Sequence, residues 1–287
     1  MSRLRLLSVI LLAIALIALS IAAYHGVTAY FAAVPPLMEE EEDPGEPVIG
    51  EPIREEPFAP AVGLYTGRGS WDPDLEAMRN FLEEYELSSI DIDQETLNSA
   101  DLNDLCDILV FVGGYSSEYL HYVGNHGNIR TFVKNGGSFV GFCAGAYYAS
   151  ATMVWGGQLH DYPLKLFPGE AVGPLNIGYG SLATIDLNRD IPFNQNFDEA
   201  IGMRYFDGPC FTGLEGSAVE VLARYRTNGE AAVIAFALGQ GRVLLSGPHP
   251  ELGYAPADDR LDTEGGGDAQ WNWLYEALRW LSSPDGV

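Results

Sequence analysis

Gly141-Phe142-Cys143-Ala144-Gly145 stands between a short apolar run, Ser138 to Phe142, and a helix-like stretch that begins at Ala144. A small residue, a nucleophile and a second small residue at a strand-to-helix turn let the backbone make a tight corner, because glycines remove the Cβ clashes there. The cysteine is then held at the tip, facing the first amides of the helix, whose partial positive charge favours thiolate over thiol. Far downstream, Gly241 to Ser246 reads as a buried strand that ends in Gly247-Pro248-His249-Pro250-Glu251. Cys143, His249 and Glu251 together supply a nucleophile, a proton acceptor and a carboxylate to orient the imidazole.

Outward from the cysteine the pattern alternates strand and helix. Residues 61–65 read as a first strand, 74–85 as an amphipathic helix with Leu75, Met78, Phe81 and Leu82 on one face, and 88–93 as a second strand. Asp107 to Val112 is unbroken and apolar, as buried parallel strands are. Residues 128–134 predict a helix, 138–142 the strand that delivers Cys143, and 144–153 the helix behind it. Further on, 219–226, 231–237 and 242–246 read as hairpin strands, and 268–281 as a closing helix. Such alternation implies an α/β fold: a mostly parallel sheet with helices on both faces and a nucleophile at a strand's carboxyl end.

Acyl transfer also needs donors for an oxyanion. The Ala144 amide follows the nucleophile, and Gly113-Gly114-Tyr115 ends the 107–112 strand, so these residues are the candidate hole, with a simple Gly-Gly turn as the alternative. Tyr115, Tyr119, His121, Tyr122, Asn125 and His126 form a polar-aromatic loop that suits either a pocket rim or an ordinary surface. Cys106 and Cys210 read as buried rather than reactive thiols, and three cysteines cannot form a closed disulfide framework. No cysteine or histidine spacing suggests a metal site, and no cofactor is expected.

Composition narrows the partners. The 287 residues are 47% hydrophobic, enough for a sizeable core, and carry a formal net charge of −25. Such a surface repels nucleic acid. Arg3 and Arg5 precede an uncharged apolar run from Leu6 to Ala23 that continues weakly to Val34. Its length favours a single-pass membrane anchor (residues 1–34) over a cleaved signal peptide, with the basic N-terminus cytoplasmic and the rest outside; secretion after cleavage is the alternative. Residues 35–60 hold the run Glu39 to Asp43 and several prolines, the composition of an extended linker, and 61–287 form the globular domain.

The segments 141–148, 204–209 and 245–251 resemble the biotin-protein ligase N-terminal domain family, part of the class I glutamine amidotransferase-like superfamily. The resemblance covers nearly all of 61–281 and implies a flavodoxin-like fold, with Cys143, His249 and Glu251 matching the superfamily's triad and Gly113 and Gly114 its oxyanion loop. One departure concerns the substrate. Glutamine-using relatives carry a glutamine four residues after the nucleophile, where this chain has Tyr147. The expectation is therefore a tethered cysteine hydrolase or amidase acting on an unknown small-molecule or peptide substrate, not a biotin ligase. A non-catalytic module that reuses the cysteine pocket to bind a small ligand, and a displayed interaction protein, stay open beside it, as does the oligomeric state.

Overall fold

The computed structural model describes residues 58–215, 217–253 and 269–283. The expected anchor and nearly all of the acidic linker lie outside them. Among the described residues no helix is long and apolar enough to cross a membrane.

The sheet is built around β1 (Val62–Tyr65), β2 (Ser89–Ile92), β3 (Ile108–Phe111), β4 (Ser138–Phe142) and β13 (Gly241–Ser246). These run parallel in the order β2-β1-β3-β4-β13. That is the flavodoxin-like arrangement, in which ligands sit at the carboxyl ends of the strands, where the strand order reverses. Every residue of β1, β3 and β4 is buried, as their unbroken apolar runs demand.

Helices cover both faces. On one lie α1 (Asp72–Glu84) and α6 (Ala269–Ser282), which bury Met78, Phe81, Trp271 and Leu274. On the other lie α2 (Gln94–Ser99), α3 (Ser116–Tyr122), α4 (His126–Lys134) and α5 (Ala144–Ala149), around Phe111, Phe132 and Tyr148. Helix starts follow their sequence signals. Pro73 opens α1, and the Asp93 side chain accepts the Thr96 amide at 2.8 Å to cap α2.

Beyond β13 the sheet changes character. It continues through β12 (Ala231–Leu238), β10 (Cys210–Thr212), β7 (Phe167–Gly173), β5 (Ser150–Trp155) and β6 (Gln158–Asp161). A flap of β11 (Glu220–Tyr225), β8 (Leu182–Leu187) and β9 (Ala200–Arg204) branches from β12. Apart from β5 with β7, these pairings are antiparallel. The sheet is thus mixed rather than mostly parallel, because tight turns such as Gly239-Gln240-Gly241 join neighbours directly and leave no crossover helix.

Two further expectations change. The helix behind Cys143 ends at Ala149, not Met153. The Ser150 hydroxyl donates to the Ala146 carbonyl at 2.9 Å and closes the last turn, after which Thr152 and Val154 extend into β5. The polar-aromatic loop is helical over α3, since Tyr119 turns into the core and its hydroxyl donates to the Val112 carbonyl at 3.0 Å.

Candidate active site

Cys143 lies between β4 and α5 with φ 45° and ψ −100°, a backbone conformation that non-glycine residues rarely hold. Its neighbours explain why the corner survives. A Cβ on Gly145 would strike the Phe111 carbonyl oxygen, and one on Gly141 would come within 2.8 Å of the Gly145 backbone. Only hydrogen fits at both positions. The Cys143 amide donates to the Ser246 carbonyl at 2.8 Å, tying the elbow to the end of β13. Ala144 is the first residue of α5, where a helix supplies no partner for the amide.

The segment after β13 is equally fixed. The Ser246 hydroxyl donates to the Pro248 carbonyl at 2.7 Å, and the His249 amide to the Arg204 carbonyl at 2.9 Å. Gly208 lies so close to Gly247 that a Cβ there would meet the Gly247 carbonyl oxygen. Trp271, from α6, donates its indole N–H to the Glu251 carbonyl at 2.7 Å.

His249 and Glu251 are both fully buried. The imidazole Nδ1 lies 2.9 Å from Glu251 Oε1, which fixes that face of the ring. A second carboxylate, Asp74 Oδ2, lies 3.2 Å from the same nitrogen. One N–H cannot serve both well. The shorter contact to Glu251 is the hydrogen bond, and that to Asp74, whose oxygens otherwise have no partner, is electrostatic. Asp74 stands in the first turn of α1, where the helix dipole favours a negative charge. Gly113 closes over the group, since a Cβ there would collide with Asp74 and His249.

Burial by itself would lower the His249 pKa. The charges of Asp74, Glu251 and Cys143 outweigh it and hold the pKa well above the usual histidine range. Burial raises that of Glu251. By spacing the three side chains could hold a cation, with one ligand atom from each within 4.8 Å of the others. In this arrangement the imidazole proton already bridges Nδ1 and Glu251.

The other imidazole nitrogen, Nε2, is buried without a hydrogen-bond partner among the described residues. His249 and Cys143 line one cavity of about 280 Å³. They are not hydrogen-bonded to each other: Cys143 Sγ donates to the Phe206 carbonyl at 3.4 Å, and the Phe206 ring stands edge-on to the imidazole, 5.4 Å between centroids. On its other side Cys143 opens into a second cavity of about 410 Å³, walled by Tyr147, Met153, Trp155, Tyr162 and Leu120. Tyr147 fills the position of the superfamily's glutamine, and its hydroxyl donates to the Asp207 carbonyl at 2.9 Å.

The remaining expected residues divide. Gly114 and Tyr115 line both cavities. The Tyr115 amide is used by the Gly69 carbonyl at 2.8 Å, so what it presents to the site is its exposed ring. Cys106 and Cys210 are buried, which pushes each thiol up to about 11. Asp74 escaped the sequence reading, although a signal was present: it lies four residues before Met78, on the helix face that carries the core. Trp71, Trp155, Tyr162 and Tyr179 also line the cavities without any motif to announce them.

Comparison with known proteins adds the following. Residues 62–271 match the family model described as biotin-protein ligase, N terminal. An uncharacterized protein of Chlamydia muridarum is 33% identical over 171 residues, 55% of this chain and 64% of that one. The biotin–protein ligase of Schizosaccharomyces pombe is 29% identical over 185 residues, 56% of this chain but only 28% of the ligase. The chain therefore spans less than two thirds of either relative. A glutamine amidotransferase crystal structure superimposes with a TM-score of 0.50 at 20% identity, over 66% of this chain and 90% of that one. A cytoplasmic protein from Salmonella typhimurium gives 0.51 at 12% identity, over 77% of this chain and 98% of that one.

Proposed function

Because the chain belongs to the biotin-protein ligase N-terminal domain family and has a glutamine amidotransferase-like fold, we propose that it is a cysteine hydrolase or amidase that works by acyl transfer. Cys143 is the nucleophile, His249 its proton partner and Glu251 the group that orients the imidazole. One observation carries the reading: a cysteine held at φ 45° shares a cavity with an imidazole whose far nitrogen is bound to a buried glutamate.

In the reaction Cys143 and His249 act as a thiolate–imidazolium pair: the Nε2 proton stays on the ring while sulfur attacks the substrate carbonyl. The amides of Ala144 and Gly114, residues that line the larger cavity, would receive the oxyanion. Collapse of the tetrahedral intermediate breaks the C–N bond while His249 protonates the departing nitrogen. Water, deprotonated by the imidazole, then hydrolyses the thioester and releases a carboxylic acid. Asp74 and Glu251 stabilise the imidazolium each time Nε2 holds its proton, before attack and again after water is deprotonated. Tyr147 in place of glutamine, with its hydroxyl already satisfied, argues for a substrate other than glutamine. The apolar run Leu6 to Val34 would tether the domain to a membrane, facing outward.

Electrophilic amide and ester probes, followed by peptide mapping, test the assignment. An acyl adduct on Cys143 that is absent from Cys143→Ala supports it. A Cys143 that stays unmodified by iodoacetamide near neutral pH would refute it. A second reading, a binding module without turnover, draws on the Sγ contact to the Phe206 carbonyl in place of His249. Ligand binding that survives Cys143→Ser with no covalent adduct on the parent protein would favour that one.

A further inference from the structure

Between β1 and α1 the turn Gly67-Arg68-Gly69-Ser70-Trp71 runs antiparallel beside Gly113-Gly114-Tyr115, with Ser70 directly opposite Gly114. The Trp71 amide donates to the Gly113 carbonyl at 3.0 Å, and the Tyr115 amide to the Gly69 carbonyl at 2.8 Å. We propose that this turn, locked by the buried Tyr119, aims the Gly114 N–H at the carbonyl oxygen of the substrate, and that Tyr119 is a positioning residue for the oxyanion. What the donor does rests on the acyl-transfer reading; where it points rests on the backbone bonds.

The direction follows from the peptide unit itself. In a trans peptide the C=O and the N–H point to opposite sides. The Gly113 carbonyl is turned toward Trp71, so the Gly114 N–H, which shares its plane, is turned away from the turn. No acceptor among the described residues takes that N–H, since the bonds to the turn belong to Gly113 and Tyr115. Gly114 lines both cavities with Cys143 and, having no side chain, offers them only backbone. The unit has no room to rotate. Gly114 is held at φ 140°, where a Cβ would meet the Gly69 carbonyl oxygen, and a Cβ on Gly113 would meet Asp74 and His249. The donor is therefore in register with the base as well as with the turn.

Tyr119, in α3, keeps the turn in place. Its fully buried ring lies 2.6 Å from where a Cβ on Gly69 would stand, and Gly69 has φ 100°. Its hydroxyl donates to the Val112 carbonyl at 3.0 Å and lies 3.2 Å from Ser70 Oγ, which itself donates to the Tyr65 carbonyl at 3.0 Å. One hydroxyl thus joins the chain that leads into Gly113 to the turn that receives it. Burial holds the Tyr119 pKa well above the usual tyrosine value, so the group stays a neutral donor. At the surface Arg68 adds a second clamp, donating to the Tyr122 hydroxyl of the same helix at 2.8 Å.

Two reagents separate aim from reactivity at Cys143. The ester p-nitrophenyl butyrate acylates the thiolate through a tetrahedral oxyanion and releases p-nitrophenolate. Iodoacetamide alkylates it by displacing iodide from a saturated carbon, with no oxyanion to hold. Both rates are read at Cys143 by mass spectrometry with peptide mapping. Tyr119→Phe should slow acylation about tenfold while alkylation stays within about twofold. Tyr148→Phe removes an equally buried hydroxyl, bonded to His126 Nδ1 at 2.7 Å, and should leave the ratio of the two rates unchanged. Trp71→Pro, which lacks the amide, should acylate about tenfold more slowly than Trp71→Ala, which keeps it. Acylation and alkylation that fall together in Tyr119→Phe, or an acylation rate that this variant leaves unchanged, would overturn the proposal. A parent protein that alkylates but does not acylate would count against the acyl-transfer reading instead. The lock is then decided by hydrogen exchange at the Trp71 and Tyr115 amides, which Tyr119→Phe should speed about tenfold and Tyr148→Phe should not. Equal exchange in the parent and both variants would overturn it.

Discussion

The half of the sheet that carries the chemistry and the half that walls the cavities are built by different rules. In the parallel half Gly113, Gly141 and Gly145 each sit where a Cβ would collide with backbone or with the catalytic cluster, and β1, β3 and β4 are buried throughout. In the antiparallel half Trp155 is 39% exposed, Leu159 and Tyr179 are each 70% exposed, and the turn Gly156-Gly157 has nothing within 4 Å of a built Cβ. The first region holds a geometry; the second holds side chains. Substitutions should therefore act on rate and stability in one half and on ligand choice in the other.

Cys143→Ala makes the sharpest contrast. It should lower turnover of any substrate by at least about a thousandfold while leaving ligand affinity nearly intact, measured by steady-state kinetics beside calorimetry. Gly145→Ala should come next. The new methyl would push on the Phe111 carbonyl, costing about 1–3 kcal/mol, or more if the elbow cannot shift, and a thermal melt would register it as a fall of several degrees. A melt unchanged by that substitution would show that the parallel half has slack after all.

Asp74→Asn is predicted to act on pH dependence. The raised His249 pKa means that the imidazole keeps its proton through neutrality and releases it only as pH rises through that raised value. A rate that needs the proton for the leaving nitrogen therefore falls on the alkaline side. Taking away the Asp74 charge lowers the pKa, so the alkaline limb of kcat/KM should move to lower pH; a purely structural role would lower the rate without moving the limb. The smallest effect belongs to the other half. Trp155→Ala should change stability by less than about 1 kcal/mol, since the ring is partly exposed, yet weaken binding of any ligand seated at Cys143, because the ring lines both cavities.

The unequal legibility of the two halves in the sequence has the same origin. Ile108 to Val112 and Phe139 to Phe142 announce themselves because strands buried on both faces are uniformly apolar, and the Cys143 elbow because its corner admits only glycine at Gly141 and Gly145. His249 and Glu251 were readable from their place at the end of a buried strand. The aromatic walls were not. Trp71, Trp155, Tyr179 and Phe206 come from separate turns and strand ends, and nothing in their spacing records that they converge. The short α5 was overread because Ala144 to Met153 has helix-forming composition, while the stop comes from a single hydroxyl, that of Ser150, turned back on Ala146. Asp74 was hidden for a different reason. An aspartate near a helix start ordinarily faces water, and only the helix phase showed that this one faces the core.

The backbone pairing of Arg204 with His249, together with the contact of Gly208 on Gly247, bears on how such a protein diversifies. The stretch that presents Phe206 and Asp207 is laced to the stretch that presents the base, so lengthening or shortening it would drag the imidazole out of line. New specificities must come there by exchanging one side chain for another. The open Gly156-Gly157 tip is held by the Gly156 amide on the Gly173 carbonyl at 2.9 Å, away from the stretch that presents the base, and it is the place where inserted residues could remodel the pocket wall while the reacting groups stay in register.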